Sequence, residues 1–355
     1  QNIIIGDNAA AGAAVTGSAN TIVGDNSGYY LTSGANNCFL GAASGHAITE
    51  GNNNVAIGHT SLTACTTGDA NIGIGVNAAD AVTTGNNNTA VGGQALISAT
   101  TTAGVTSIGY NAGNNLTTAP SCAFVGDYAA DAVTTGGYHV AMGSGALGAC
   151  TTATGNTALG YNSGNDITTG ANNTCVGNAS FQAATTSPSN TCIGHGAGSS
   201  ISTGDGLNVC VGNLAGDNIT TGTKNICIGN ADGSAAGAAN NIVIGYDIAG
   251  PGDNVVAFGK ASNVIQNTFT SNATWSQASD ERLKTDIKDN TLGLDFINEM
   301  ETKTYRWKPS YDVPQELTNH YNEENQKDTD VLMYGMMAQK VKESMDEYDN
   351  AEFTG

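Results

Sequence analysis

Charge is scarce in this chain. Only 12% of its 355 residues are Asp, Glu, Lys or Arg, against the ~25% of an ordinary soluble domain, so neither a disordered polyelectrolyte nor a solvated helical surface fits. Basic residues are scarcer still, 11 against 31 acidic ones, for a formal net charge of −20. That field repels phosphate backbones and anionic headgroups, so neither nucleic acid nor a membrane surface is expected as a partner. Apolar runs stay far below the ~18–20 residues that cross a bilayer. Proline (5) and aromatic residues (6%) are also few. Glycine is the exception, at 48 residues, about twice its usual ~7% share, and such a composition suggests repetition.

The scarcity is uneven. Residues 1–278 hold two basic residues, Lys224 and Lys260, and 13 acidic ones, whereas residues 279–355 hold nine and 18; glycine divides 45 to 3 across the same boundary. Two segments of different physics meet there. The expected organisation is a repeat over 1–259, a polar, β-prone neck over 260–278 and a separate domain over 279–355. The sequence is already inside the repeat at residues 2–6, which reads as a fragment of a longer protein.

Sixteen anchor glycines, each preceded by a short apolar triplet, run from Gly6 to Gly259, and from Gly24 to Gly194 every interval is 17 residues. A fixed period of this length predicts an all-β solenoid with one coil per repeat. The residue before each anchor is always sizeable and apolar, as in Val23, Leu40, Ile108 and Ile193, and is expected to point into the coil. A second apolar set follows seven residues after most anchors (Leu31, Ile48, Cys65, Val82, Leu116, Val133), so two inward strand sites per coil are expected. Corners such as Thr83, Thr84 and Gly85 come next, with glycine supplying a positive φ. Asparagine stands four residues before 12 of the 16 anchors, which predicts a ladder of stacked amides.

Strand side chains alternate between faces. The residue two before each anchor should therefore be polar if its face met water, yet it is apolar or small, as in Ile22, Phe39, Ala141, Ala158, Cys175 and Cys192. A strand apolar on both faces is buried on both. Because a 17-residue coil cannot cover its own outside, this row is expected to line the interface of a parallel homotrimer. The segments at 52–58 (NNNVAIG), 225–229 (NICIG) and 240–245 (NNIVIG) resemble the Asn-x-hydrophobic-x-Ile-Gly coils in the left-handed β-roll heads of trimeric autotransporter adhesins.

Eight cysteines raise a disulfide or metal reading. Cys65 and Cys150 take the second inward site, and Cys175, Cys192, Cys210 and Cys227 hold one site in four successive coils. Coils stacked ~4.8 Å apart with parallel Cβ vectors fit disulfide geometry poorly and give no tetrahedral cage, so buried free thiols are expected, with bridges across the oligomer axis as the alternative. His59 and His195 both follow an anchor but lie 136 residues apart, too far to share a metal. No metal and no cofactor is expected. Rows of outward Thr hydroxyls occur on ice-binding solenoids, but a plain turn accounts for the Thr corners equally well.

Beyond the neck the pattern changes. Leu292, Phe296, Ile297 and Met300 mark one helical face, residues 303–308 read as a strand, and residues 331–348 as a strand, a glycine turn and a helix from about Ala338. The Ser-Asp-x-Arg-Leu-Lys-x-x-Ile run from Ser279, the Tyr-x-Trp at Tyr305 and Trp307, and the Gly-x-x-Ala-Gln-x-Val run from Gly335 resemble the C-terminal intramolecular chaperone of phage tailspikes, endosialidases and tail fibres. The resemblance implies a small α+β domain that trimerises, drives folding of the solenoid ahead of it and then cuts itself off before Ser279, with Ser279 and Lys284 as the catalytic pair. It also implies that this domain continues beyond Gly355. The implied function is a structural and host-adhesion fibre of a phage tail, assembled in the host cytoplasm, carried on the virion and contacting a host glycan or receptor. Two alternatives remain open on sequence: a bacterial trimeric surface adhesin, and a glycan-degrading tailspike, the latter without paired carboxylates to support it. Without the resemblance, Ser279 and Asp280 read as a helix cap.

Overall fold

The computed structural model describes residues 1–230, 235–248, 250, 252–269, 302–314 and 329–347. The chain divides into two compact units, Gln1–Trp275 and Ser276–Gly355.

The first unit is a β-solenoid. Sixteen strands, β1 (Ile3–Ile5) to β16 (Val255–Lys260), follow one per coil, and each pairs in parallel and in register with the next. Thr21 lies beside Cys38, Ala141 beside Ala158 and Cys175 beside Cys192. The final strand, β17 (Asn263–Thr268), turns back and pairs antiparallel with β16, so the parallel stack ends on a hairpin within the expected neck.

Most strands are only three residues long because the anchor glycine ends each one. Gly58 has φ +125°, and a Cβ there would come within 2.6 Å of the Gly75 carbonyl oxygen one coil on. Only glycine lets neighbouring backbones approach so closely. The chain then coils through residues in the left-handed region, such as Asn77 (φ 57°) and Ala79 (φ 52°). This corrects the expectation of two strand sites per coil: the second inward site, seven residues after the anchor, is fully buried (Leu31, Ile48, Val82, Leu116 and Ile201), but left-handed turns and not an extended strand carry it there.

The strand faces are also the reverse of the expected ones. The residue two before the anchor is interior: Ile22, Phe39, Ala141, Ala158, Cys175 and Cys192 are all completely buried. The residue before the anchor faces outward, with Leu40 48% and Met142 44% exposed. The row expected at a three-chain interface is therefore the core of the single coil. Size goes with the choice in most coils: eleven of the sixteen residues at this site are Ala, Cys, Gly or Ser, and larger ones such as Ile22, Phe39 and Val243 are the minority.

The asparagine ladder is present and does more than stack. The Asn54 backbone N–H donates to Asn37 Oδ1 at 2.9 Å, while Asn37 Nδ2 donates to the Gly51 carbonyl at 2.9 Å. Each amide thus ties two coils and a corner, and repeats from Asn20 to Asn88 and from Asn156 to Asn241. Such buried amides would be costly without partners. The Thr row follows the same logic: Thr32, Thr49 and Thr66 Oγ1 donate to the carbonyls of Thr49, Thr66 and Thr83. The first Thr of each corner is thus used by the neighbouring coil, while the second, as at Thr84 and Thr135, is exposed.

The second unit contributes β18 (Thr302–Tyr305) and β19 (Met333–Met336), an antiparallel pair, and a helix, α1 (Ala338–Glu347). Gly335 lies within β19, opposite Lys303, and not in a turn as expected; antiparallel pairing keeps that backbone extended.

Candidate functional site

Two places are candidates: the outer strand face of the solenoid and the motif that the sequence places at residues 279–287. The outer face is built by alternation. Residues one and three before each anchor share it, giving two columns such as Val55 with Ile57 and Ile72 with Ile74. Ile108, Ile193 and Ile228 on this face are 38–39% exposed. Water meets a long apolar strip, whereas the core lies on the other side of the same three-residue strands.

The thiols are core groups. All eight cysteines are free, and all but Cys38 are buried. Burial pushes the Cys65 thiol up to about 11 and the Cys150 thiol up to about 12, so both stay protonated at neutral pH and are poor nucleophiles or ligands. Among the described residues, no group of three or more His, Cys, Asp or Glu is placed to hold a metal ion, and no helix is long and apolar enough to cross a membrane.

Position after an anchor draws attention to His59 and His195 and misses His139. His139 is completely buried and occupies an asparagine position of the ladder. Its Nδ1 accepts from the Asn156 backbone N–H at 3.2 Å, and its Nε2 lies 2.8 Å from the Ala153 carbonyl. The tautomer protonated on Nε2 satisfies both. Burial lowers its pKa from the ordinary value. The signal is present in the sequence, since His139 stands 17 residues before Asn156.

Three phenylalanines fill the core and six tyrosines stand outside the coils. Phe39, Phe124 and Phe181 are buried, whereas Tyr30, Tyr110, Tyr128, Tyr138, Tyr161 and Tyr246 are exposed. Tyr110 and Tyr128 meet edge to face at 5.6 Å, and Tyr29 stacks on His46 at 5.4 Å.

In the second unit, Tyr305 and Trp307 of the Tyr-x-Trp motif meet edge to face at 5.6 Å at the end of β18. Ser279 and Lys284, and the helix expected at 292–300, lie outside the described residues. Comparison with the curated proteins and with the solved structures returns no match. Residues 279–350 match the family model described as the chaperone of endosialidase, so a solenoid is followed here by a segment similar to that chaperone.

Proposed function

We propose that this chain is a segment of a phage tail fibre or tailspike whose C-terminal domain acts as an intramolecular chaperone and then removes itself. The observation that carries the reading is the match of residues 279–350 to the chaperone of endosialidase, directly after a solenoid of sixteen parallel strands. In this reading three copies form a parallel homotrimer on the virion, and its work is structural and adhesive, toward a host glycan or receptor. The exposed tyrosines of the coils, rigid rings with a polar tip, suit such contacts.

The proposed cleavage uses the chain's own groups. Ser279 Oγ attacks the Ala278 carbonyl carbon while the neutral amine form of Lys284 takes the hydroxyl proton. Lys284 hands that proton to the Ser279 nitrogen, which leaves as an amine, an ester joins Ala278 to Ser279 Oγ, and water hydrolyses it to an Ala278 carboxylate and the free Ser279 hydroxyl. Intact-mass spectrometry of the expressed chain tests this. The expected result is a C-terminal fragment beginning at Ser279, absent from Ser279→Ala; a chain that stays whole through assembly rejects the cleavage.

A further inference from the structure

Among the described residues nothing covers the outer strand face, which has one column of apolar side chains and a second that mixes aliphatic residues with threonines such as Thr89, Thr106 and Thr174. Neither of its columns carries a charged residue between Thr21 and Ile244, although residues 1–278 as a whole hold 13 acidic residues against two basic ones. Fifteen coil spacings of ~4.8 Å make it about 70 Å long. At a width of about 10 Å each chain offers on the order of 700 Å², so three copies meeting along it bury on the order of 2,000 Å² together, within the range of stable assemblies.

We infer that this strip is where copies of the chain pack against one another, a placement that rests on the trimeric reading above and moves the contact to the opposite strand face from the one expected in the sequence. Two arguments select a second copy as the occupant. First, an acidic chain that self-associates through most of its surface brings carboxylates together, whereas this strip buries no like charge. Second, the ridges of the strip repeat once per coil. A copy of the same solenoid presents the same spacing over the whole length, so side chains interdigitate at every coil, while an unrelated surface matches only locally. Cys38 is a native reporter, because it is the one cysteine that is not buried and it stands on this strip.

The test uses the full chain with Ile108→Asp and Ile193→Asp together, beside a control pair, Thr135→Asp and Thr186→Asp, on the exposed corner row. Sedimentation velocity gives the oligomeric state, circular dichroism the fold, and maleimide labelling with mass spectrometry the access to Cys38. The expected results are a wild-type trimer with Cys38 shielded, a folded monomeric strip variant with Cys38 labelled, and a trimeric control. A strip variant that remains trimeric, or a wild-type trimer whose Cys38 labels as fast as the variant's, overturns the placement while leaving the trimer intact. A monomeric wild type removes the trimeric reading itself, and one with Cys38 shielded assigns the strip to another segment of the chain. Should the Asp pair misfold, Ile108→Thr with Ile193→Thr repeats the measurement, expected as a trimer that dissociates at higher concentration than wild type; unchanged association overturns the placement.

Discussion

At the scale of one residue, His139 shows what the core tolerates. Its ring reproduces the asparagine pattern, an acceptor for the next coil's N–H and a donor to the corner carbonyl. A second proton would have to go on Nδ1, which faces the Asn156 N–H, setting donor against donor. The other titratable groups close by are thiols, Cys150 at 3.9 Å from Nε2 and Cys122 in the preceding coil, and neither offers a charge to compensate. Because the folded-state pKa is lowered, the unfolded chain takes up the proton first, near its ordinary ~6.5. Stability present above that pH is lost as pH falls through it toward the folded-state value. His139→Asn should keep both hydrogen bonds and remove this acid sensitivity. Denaturant unfolding of wild type and variant at pH 7.5 and 5 checks it: the variant should gain stability relative to wild type as the pH drops, and a difference independent of pH rejects the account.

At the scale of the coil, the core is matched by size between neighbours. Phe39 is accommodated because Gly28 and Gly45 flank it, and a Cβ at Gly45 would lie 2.8 Å from the Phe39 ring. Conversely, Leu62 fills the space left by Gly73, where a Cβ would lie 3.1 Å from Leu62 Cγ. Gly45→Leu should therefore destabilise by about 3 kcal/mol through overpacking, and Phe39→Ala should recover a large part of it in the double variant, with a coupling of about 1–3 kcal/mol. The matched pair is refuted if Gly45→Leu lowers the unfolding midpoint as much in the Phe39→Ala background as it does in the parent chain. The same compensation explains what the sequence could reveal. The period, the inward set seven after each anchor and the asparagine ladder were legible because each repeats without ambiguity. The faces of the strand were not, since alternation says only that two sets oppose each other, and here both are apolar. Size was the missing criterion: of the two strand columns, the inward one is mostly Ala, Cys, Gly or Ser, whereas every residue just before an anchor is a large apolar one. At the second site, Ser279 and Lys284 are singled out only by resemblance; five residues of separation alone do not bring two side chains together.

At the scale of the whole molecule, this difference between core and strip bears on assembly. Inside a chain, size-matched pairs such as Phe39 with Gly45 distinguish one coil from the next. Between chains the strip repeats Val, Ile, Leu and Thr so regularly that a slip of one coil exchanges one near-equivalent contact for another. Three copies meeting along such strips have little to set their register, and unpaired strands are open to edge association meanwhile. Register must then be imposed from one end, which a C-terminal domain that trimerises first would do; its nine basic and 18 acidic residues can specify pairing in a way the strip cannot. Cleavage after assembly would leave a shaft held by its unfolding barrier, with no template for returning to register. Ser279→Ala and Lys284→Ala should each give an uncut but trimeric chain, as soluble as the parent. Removing residues 279–355 before synthesis should give aggregate or mixed oligomers by light scattering, even though every coil is present. If the shaft alone reaches the same trimer in the same yield, the register is written in the coils after all, and the chaperone role assigned to residues 279–355 is wrong even where the bond at Ser279 is cut.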